Sequence, residues 1–304
     1  MKKEKIQIFL NNIGFVRRMY KRIFYGVLFV PIIFLSSLSL SGCVNSLFYY
    51  PDRIVYRTPS DKYLQYEDVF FQSKDNTRLH GWFLPSMKSP VGTVIHFHGN
   101  AQNLTAHFAF VDWLPEEGFN LFTFDYRGYG KSEGNPNRQG IYEDCIAAIE
   151  YIKTREDIDQ EKIFILGQSL GGANAVTVLG KKRFQGIRAV VADSAFFSYR
   201  SIVRDKIGGI PLLSLLKWPL SYIVVSNKHN PDGVIHKISP LPILLIHGTS
   251  DQVIPYHHSK WLFEKAKEPK YLWTIEGGKH TEAFTRFGVL YREKLIRFFK
   301  ESLN

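Results

Sequence analysis

The stretch Lys162-Ile163-Phe164-Ile165-Leu166-Gly167-Gln168-Ser169-Leu170-Gly171-Gly172-Ala173 decides the fold. Residues 162–166 form a near-continuous apolar, β-branched run, the pattern of a strand buried on both faces. Residues 170–182 then follow a helical pattern. Between the two stands G-x-S-x-G, with no residue left over for a loop. The pentapeptide alone is a weak signal, because glycine and serine are common. Set directly between a buried strand and a helix, it reads as a nucleophile elbow. Gly167 and Gly171 leave room for the tight turn, which lifts the Ser169 hydroxyl to the top of a sheet.

The same alternation continues to both sides. Residues 68–71 and 78–84 read as two strands with a turn at Asp75-Asn76. Strands at 93–97, 120–124, 162–166, 189–192, 243–246 and 271–275 alternate with helices at 103–117, 141–154, 170–182, 257–267 and 282–302. Such alternation implies right-handed βαβ units and an α/β fold, with a mostly parallel sheet and helices on both faces. Residues 195–240 break the rhythm. Their apolar runs, 210–216 and 220–225, read as a small helical cap over the carboxyl ends of the strands, where ligands bind in such sheets. The alternative is an ordinary crossover helix with an irregular lead-in.

A serine hydroxyl needs an adjacent base to act as a nucleophile, and the base needs an acid to orient it. In chain order the acid and then the histidine follow the serine. His280 stands in Gly277-Gly278-Lys279-His280, between the last strand and the last helix, and is the expected base. His247 reads as structural, and His257 and His258 as exposed or capping residues at a helix start. Asp251, in the loop after the preceding strand, is the expected acid, with Asp193 as the alternative one strand earlier. The oxyanion donors expected are the backbone N–H groups of Leu170, next to the nucleophile, and of Asn100, in the loop His98-Gly99-Asn100.

Taken in order, His98-Gly99-Asn100-Ala101, Asp125-Tyr126-Arg127-Gly128-Tyr129-Gly130-Lys131-Ser132, Gly167 to Gly172, His247-Gly248-Thr249-Ser250-Asp251 and Gly278-Lys279-His280 resemble the Bem46-like branch of the α/β-hydrolase superfamily. The resemblance runs from about Asp68 to the C-terminus. It implies an α/β-hydrolase fold, a Ser-His-Asp site, and a branch that includes depalmitoylating thioesterases and lysolipid lipases. It also implies that the 125–132 segment shapes a loop and takes no part in the chemistry.

The first 43 residues read as an address. Lys2, Lys3, Lys5, Arg17, Arg18, Lys21 and Arg22 against Glu4 give this segment +6 of the chain's net charge of +11. An uncharged apolar run, 23–40, follows the basic cluster, which is the order of a secretory signal or a positive-inside anchor. The run ends in Leu40-Ser41-Gly42-Cys43, which resembles the lipobox of bacterial lipoproteins. That resemblance implies cleavage before Cys43, lipid on its sulfur and a place in the cell envelope outside the cytoplasm. An uncleaved spanning helix is the other reading, and Met19 is a second candidate start. The expected organisation is a signal over 1–42, lipidated Cys43 with a linker over 43–65, and a hydrolase domain over 66–304.

Composition excludes other classes. With 45% hydrophobic and 22% charged residues the chain can bury a core and is not a disordered polymer. Once the address is set aside, no basic stripe with interleaved aromatics points to nucleic acid. Gly167 to Gly172 lacks the lysine of a phosphate-binding loop, since Ala173 stands in its place. His96 and His98 share a strand face, but no third ligand is spaced to complete a metal site. Cys145 reads as a small buried side chain. The expectation is therefore a serine hydrolase, without cofactor or metal, that cleaves carboxylic esters or thioesters, with lipid or acylated substrates met at a membrane. A serine peptidase or amidase, or a non-catalytic lipoprotein that binds a ligand with the same fold, are the alternatives.

Overall fold

The computed structural model describes residues 48–303 except Leu212 and Asn227, so the address and Cys43 lie outside the described residues. The described chain begins with β1 (Tyr50–Pro51), which pairs in parallel with β5 (Ala101–Gln102). Eight further strands form one sheet: β2 (Glu67–Gln72), β3 (Arg78–Leu84), β4 (Gly92–Phe97), β6 (Phe119–Phe124), β7 (Ile163–Gln168), β8 (Ile187–Asp193), β9 (Ile243–Gly248) and β10 (Lys270–Ile275). Their order is β10-β9-β8-β7-β4-β6-β3-β2. β2, β3 and β6 pair antiparallel, and every other neighbouring pair is parallel.

Alternation along each strand feeds two cores. Ile163, Ile165, Ile243 and Leu245 point to one face, where α2 (Arg138–Ile152) and α3 (Leu170–Lys181) cover them. Phe164, Leu166, Leu244 and Ile246 point to the other, against α7 (Gly288–Glu301) and the 104–114 segment. Cys145 is fully buried in the first core. From β4 the chain steps one way to β6 and then returns past β4 to β7. The order reverses between β4 and β7, and a crevice for ligands opens at such a switch point, at the strand carboxyl ends.

Two expected helices are different in the structure. Residues 103–117 hold only α1 (Leu104–His107), followed by 3₁₀ turns at Phe108–Phe110 and Pro115–Glu117. Phe108, Val111 and Leu114 bury at a spacing of three, which suits three residues per turn and not 3.6. The last helix starts at Gly288 and not near residue 282. Ala283 and Phe284 turn fully into the core ahead of it, and the N–H groups of Thr285 and Phe287 return to the Glu282 carbonyl. The stretch read as a linker is also more than a tether. Tyr49 is buried in the main core, and β1 holds the loop after β4.

Residues 195–240 carry α4 (Tyr199–Gly208), α5 (Lys217–Val224) and three 3₁₀ turns. One further helix, α6 (His257–Lys265), connects β9 to β10.

Candidate active site

Ser169 sits between β7 and α3 with φ 54° and ψ −115°. A positive φ is costly for a residue with a side chain, and such strain persists only where the surroundings impose it. Here they do. The Ser169 N–H donates to the Asp193 carbonyl at 2.8 Å, and the Ala173 N–H donates to the Ser169 carbonyl at 3.1 Å. The two glycines around it are required by space. A Cβ on Gly167 would lie 2.5 Å from the Gly171 carbonyl oxygen, and one on Gly171 would run into the carbonyl of Phe97.

Asp251 and His280 come from the loops after β9 and β10. The Thr249 N–H donates to Ile275 at 3.0 Å and the Ser250 N–H to Gly278 at 2.9 Å, so the loops after β9 and β10 are tied together. His280 Nδ1 then lies 2.7 Å from Asp251 Oδ2. The other carboxylate oxygen, Oδ1, accepts from the N–H groups of Val253 and Ile254 at 2.8 and 2.9 Å. Burial would raise the Asp251 pKa. Hydrogen bonds from His247 and His280 and from the Ile254 backbone outweigh it and hold the carboxyl well below the usual carboxylate range. The lowered pKa favours the Asp251 anion near neutral pH. Among the described residues the His280 ring bonds to Asp251 alone, which leaves its Nε2 for proton transfer. Catalytic contacts of this kind commonly close only with substrate in place.

The serine and histidine loops meet at Asp193 and Ser194. Asp193 receives the Ser169 N–H, and the Ser194 hydroxyl receives the Thr281 N–H at 3.1 Å. Asp193 itself, the alternative acid, does not hydrogen-bond His280. Its Oδ1 accepts from the Ser194 hydroxyl, its Oδ2 is buried without a partner, and burial pushes its pKa up to about 6. A carboxyl with no bond to the imidazole is a poor orienting acid, and the geometry favours Asp251.

Asn100 and Leu170 line the same cavity as Ser169. The Asn100 loop is held from two sides. Its side-chain oxygen accepts from the Tyr129 hydroxyl at 3.0 Å and from the Tyr50 N–H at 3.3 Å. The cavity has a volume of about 510 Å³. Its walls are apolar: Phe48, Phe196, Ile202, Val203, Val224 and Ile254 among others. Lys206 is the one charged side chain on the described lining.

Several further residues support this site, among them His247 and the 125–132 loop, which the sequence reads as structural, and Tyr50, which it does not single out. His247 Nε2 lies 3.2 Å from Asp251 Oδ2 and 2.8 Å from the Ile254 carbonyl, while its Nδ1 lies 2.6 Å from the Ser259 hydroxyl. It braces the acid from below. Tyr129 and Tyr50 hold Asn100, and both stand in segments read as loop or linker. In the 125–132 loop, Asp125 accepts from the Leu104 N–H at 2.7 Å and Arg127 Nη2 lies 2.8 Å from the buried Asp144. Gly128 and Gly130 take φ of 81° and 47° there, and a Cβ on Gly130 would collide with the Asp125 carboxylate.

One histidine reading changes, that of His258, while His96 stays without a metal role. His96 is buried between Thr123 and Gln168, and burial lowers its pKa to about 3. His258, expected to be exposed or capping, is fully buried. Its Nε2 lies 2.7 Å from Asp205 Oδ2, and His257 Nε2 lies 3.0 Å from the same oxygen. This trio could in principle surround a cation. However, His258 Nδ1 accepts from the Phe197 N–H at 3.0 Å, so the neutral ring carries its proton on Nε2. That nitrogen has no lone pair to offer a metal, and the trio fits a hydrogen-bonded latch between α4 and α6.

The family Hydrolase_4, described as serine aminopeptidase S33, matches residues 88–239. The chain belongs to this family. It is an α/β-hydrolase, and the hydrolase is similar to proteins from distant organisms. The uncharacterized protein YfhR of Escherichia coli (strain K12) is 42% identical over 264 residues, which are 85% of this chain and 88% of YfhR. The α/β-hydrolase domain-containing protein WAV2 of Arabidopsis thaliana is 32% identical over 261 residues, 80% of this chain and 82% of WAV2. Among solved structures, the esterase Pf2001 of Pyrococcus furiosus superposes with a TM-score of 0.69 at 24% identity, over 84% of this chain and 99% of that one. That likeness concerns the fold.

Proposed function

We propose that the protein is a serine hydrolase of carboxylic esters or thioesters with an apolar acyl group. The observation that carries this reading is a strained Ser169 on the wall of an apolar cavity, beside loops that pair His280 with Asp251 at 2.7 Å. In the reaction, Ser169 Oγ attacks the carbonyl carbon while His280 Nε2 takes the hydroxyl proton. The N–H groups of Asn100 and Leu170 receive the negative charge that forms on the carbonyl oxygen. His280 returns the proton to the departing alcohol or thiol, and the acyl group stays on Ser169. Water, deprotonated by His280, then releases the acid and restores the serine.

Asp251 keeps the proton of His280 on Nδ1 and stabilises the imidazolium that forms at each step. The apolar walls suit an acyl chain, as in lysolipids or acylated proteins of the Bem46-like branch. Lipid on Cys43 would hold the enzyme at an envelope membrane, where such substrates lie.

The family description makes an aminopeptidase the second reading. An aminopeptidase must receive the free α-ammonium group of its substrate, which calls for an acid near the serine. The described lining of the cavity holds Lys206 and no Asp or Glu, which favours esters. The deciding experiment compares turnover of p-nitrophenyl esters, acetyl to palmitoyl, with that of aminoacyl p-nitroanilides, each beside Ser169→Ala. Ester turnover that rises with chain length and vanishes in the variant supports the proposal. Faster turnover of the anilides would replace it with the peptidase reading, and neither turnover nor fluorophosphonate labelling of Ser169 would leave a binding protein.

A further inference from the structure

The cap exposes several large apolar side chains close together in sequence. Leu215 is 90% exposed, Tyr222 56%, Trp218 53%, Leu216 50% and Ile210 48%. Single exposed apolar residues are ordinary, but a run of them on neighbouring turns marks a surface made to be covered. The run joins the rim of the Ser169 cavity. Ile207 lines the cavity, and the Ile210 N–H returns to the Ile207 carbonyl at the end of α4. Tyr50 and Val253 also line that cavity and are themselves 56% and 49% exposed.

Two further observations say what covers this face. The first is charge. Arg200, Arg204, Lys206, Lys217 and the neighbouring Lys265 stand against three acids, Asp205, which His257 and His258 engage, and Asp232 and Glu264 in the same groove, so the balance here is positive. Arg204 lies 4.1 Å over the Trp218 ring and Arg200 4.2 Å over the Tyr222 ring. Cations set beside Trp and Tyr suit the boundary between headgroups and acyl chains, and a basic face is drawn to anionic lipid. The second is where the chain enters. Phe48 and Tyr50 line the cavity, and Cys43 precedes Phe48 by only five residues. Five extended residues span at most about 18 Å. A lipid on Cys43, or an anchor over 23–40, would hold the cavity side of the domain against the bilayer.

We propose that Ile210, Leu215, Leu216, Trp218 and Tyr222 form a face that docks on an anionic bilayer and turns the mouth of the Ser169 cavity toward it. The substrate is then an acyl ester or thioester whose chain leaves the bilayer directly into the cavity, an extension that rests on the proposed function. Docking itself does not, and the two fail separately.

The test uses the full chain reconstituted in vesicles of phosphatidylcholine with phosphatidylglycerol, some of the lipid carrying brominated chains. Trp218 at the interface is quenched, so bromine removes a smaller fraction of emission from Trp218→Phe than from the parent protein. Leu215→Asp with Leu216→Asp lowers turnover of a bilayer-borne long-chain ester at least tenfold and leaves turnover of a water-soluble short ester unchanged. Equal quenching in parent and Trp218→Phe overturns the docking face. So does equal quenching with and without phosphatidylglycerol, as regards its anionic partner. If the aspartate pair instead converts a dimer to a monomer in detergent while quenching is absent, the face joins two copies and the proposal is wrong. An inactive parent protein on the short ester would overturn the serine reading alone, since quenching needs no turnover.

Discussion

Around Asp251 every polar contact comes from inside the fold: two backbone N–H groups on one oxygen, two imidazoles at the other, and a loop tied to its neighbour by main-chain bonds. Along α4 and α5 one side lines the cavity with Ile202, Val203 and Val224 while Trp218 and Tyr222 stand more than half exposed, and among the described residues of these two helices the carboxylate of Asp205 is the acid that ties the cap to a neighbouring helix. The first region is a rigid mount for chemistry. The second is a cover with large apolar side chains left exposed, tied to α6 through Asp205. The difference teaches where changes should be felt as lost turnover and where as altered access. A functional constellation needs geometry fixed to a fraction of an ångström, and only buried, fully bonded elements give that.

The largest effect should fall on the mount. Ser169→Ala is expected to lower kcat by about 10⁴ to 10⁶ with little change in thermal stability, because the alanine inherits the same strained turn. Single-turnover ester cleavage measures it, and a loss below tenfold would remove Ser169 from the mechanism.

Asp251→Asn comes next, at about 10⁴ in kcat. Its amide nitrogen cannot accept at the position where Oδ2 now meets both His280 and His247. If the asparagine turns its oxygen there, the N–H groups of Val253 and Ile254 lose their acceptor instead. Either way the imidazole is misoriented. Asp193→Asn in parallel should cost far less, and the reverse order would move the acid to Asp193.

Arg127→Ala separates stability from chemistry. It leaves Asp144, fully buried, without its guanidinium. Breaking a buried pair from one side typically costs about 3–5 kcal/mol. Denaturant melts should show that loss, while kcat per folded molecule stays close to the parent value. A selective fall in kcat would mean that the 125–132 loop does more than hold its shape.

How far these regions could be read in sequence differs for the same physical reason. Ser169 and the parallel sheet were legible because a buried strand, a glycine-bracketed serine and a helix leave one geometry. Asp251 and His280 followed from chain order, since each loop leaves the sheet at a place the topology sets. What sequence did not show is support that crosses the chain: Tyr129 and Tyr50 on Asn100, and His258 buried against Asp205. No periodicity records a contact between residues dozens of positions apart. Residues 103–117 misled because buried apolar residues at three-residue spacing, Phe108, Val111 and Leu114, look helical over a short window.

The smallest effect should appear in the cap, and pH exposes it. Burial lowers the His258 pKa, and the Asp205 carboxylate offsets that only in part, so the folded state favours the neutral ring. A second proton would have to sit on Nδ1, where the Phe197 N–H already donates. For a depressed histidine the stability is full above the ordinary value of about 6.5 and is lost as pH falls below it. Asp205 is itself lowered: burial acts against its charge, but the His258 hydrogen bond prevails, so it stays ionised through this window. Amide exchange along α4, corrected for its intrinsic pH dependence, should therefore quicken between pH 7 and pH 5.5 while β7 amides hold. Asp205→Asn removes the charged acceptor. With part of that carboxylate in solvent the bond is worth about 1 kcal/mol, so α4 should open about fivefold more often at pH 7. An α4 whose protection ignores both the pH and the substitution would show that the cap is held by its apolar contacts with the sheet, and the contrast between mount and cover would then be one of exposure alone.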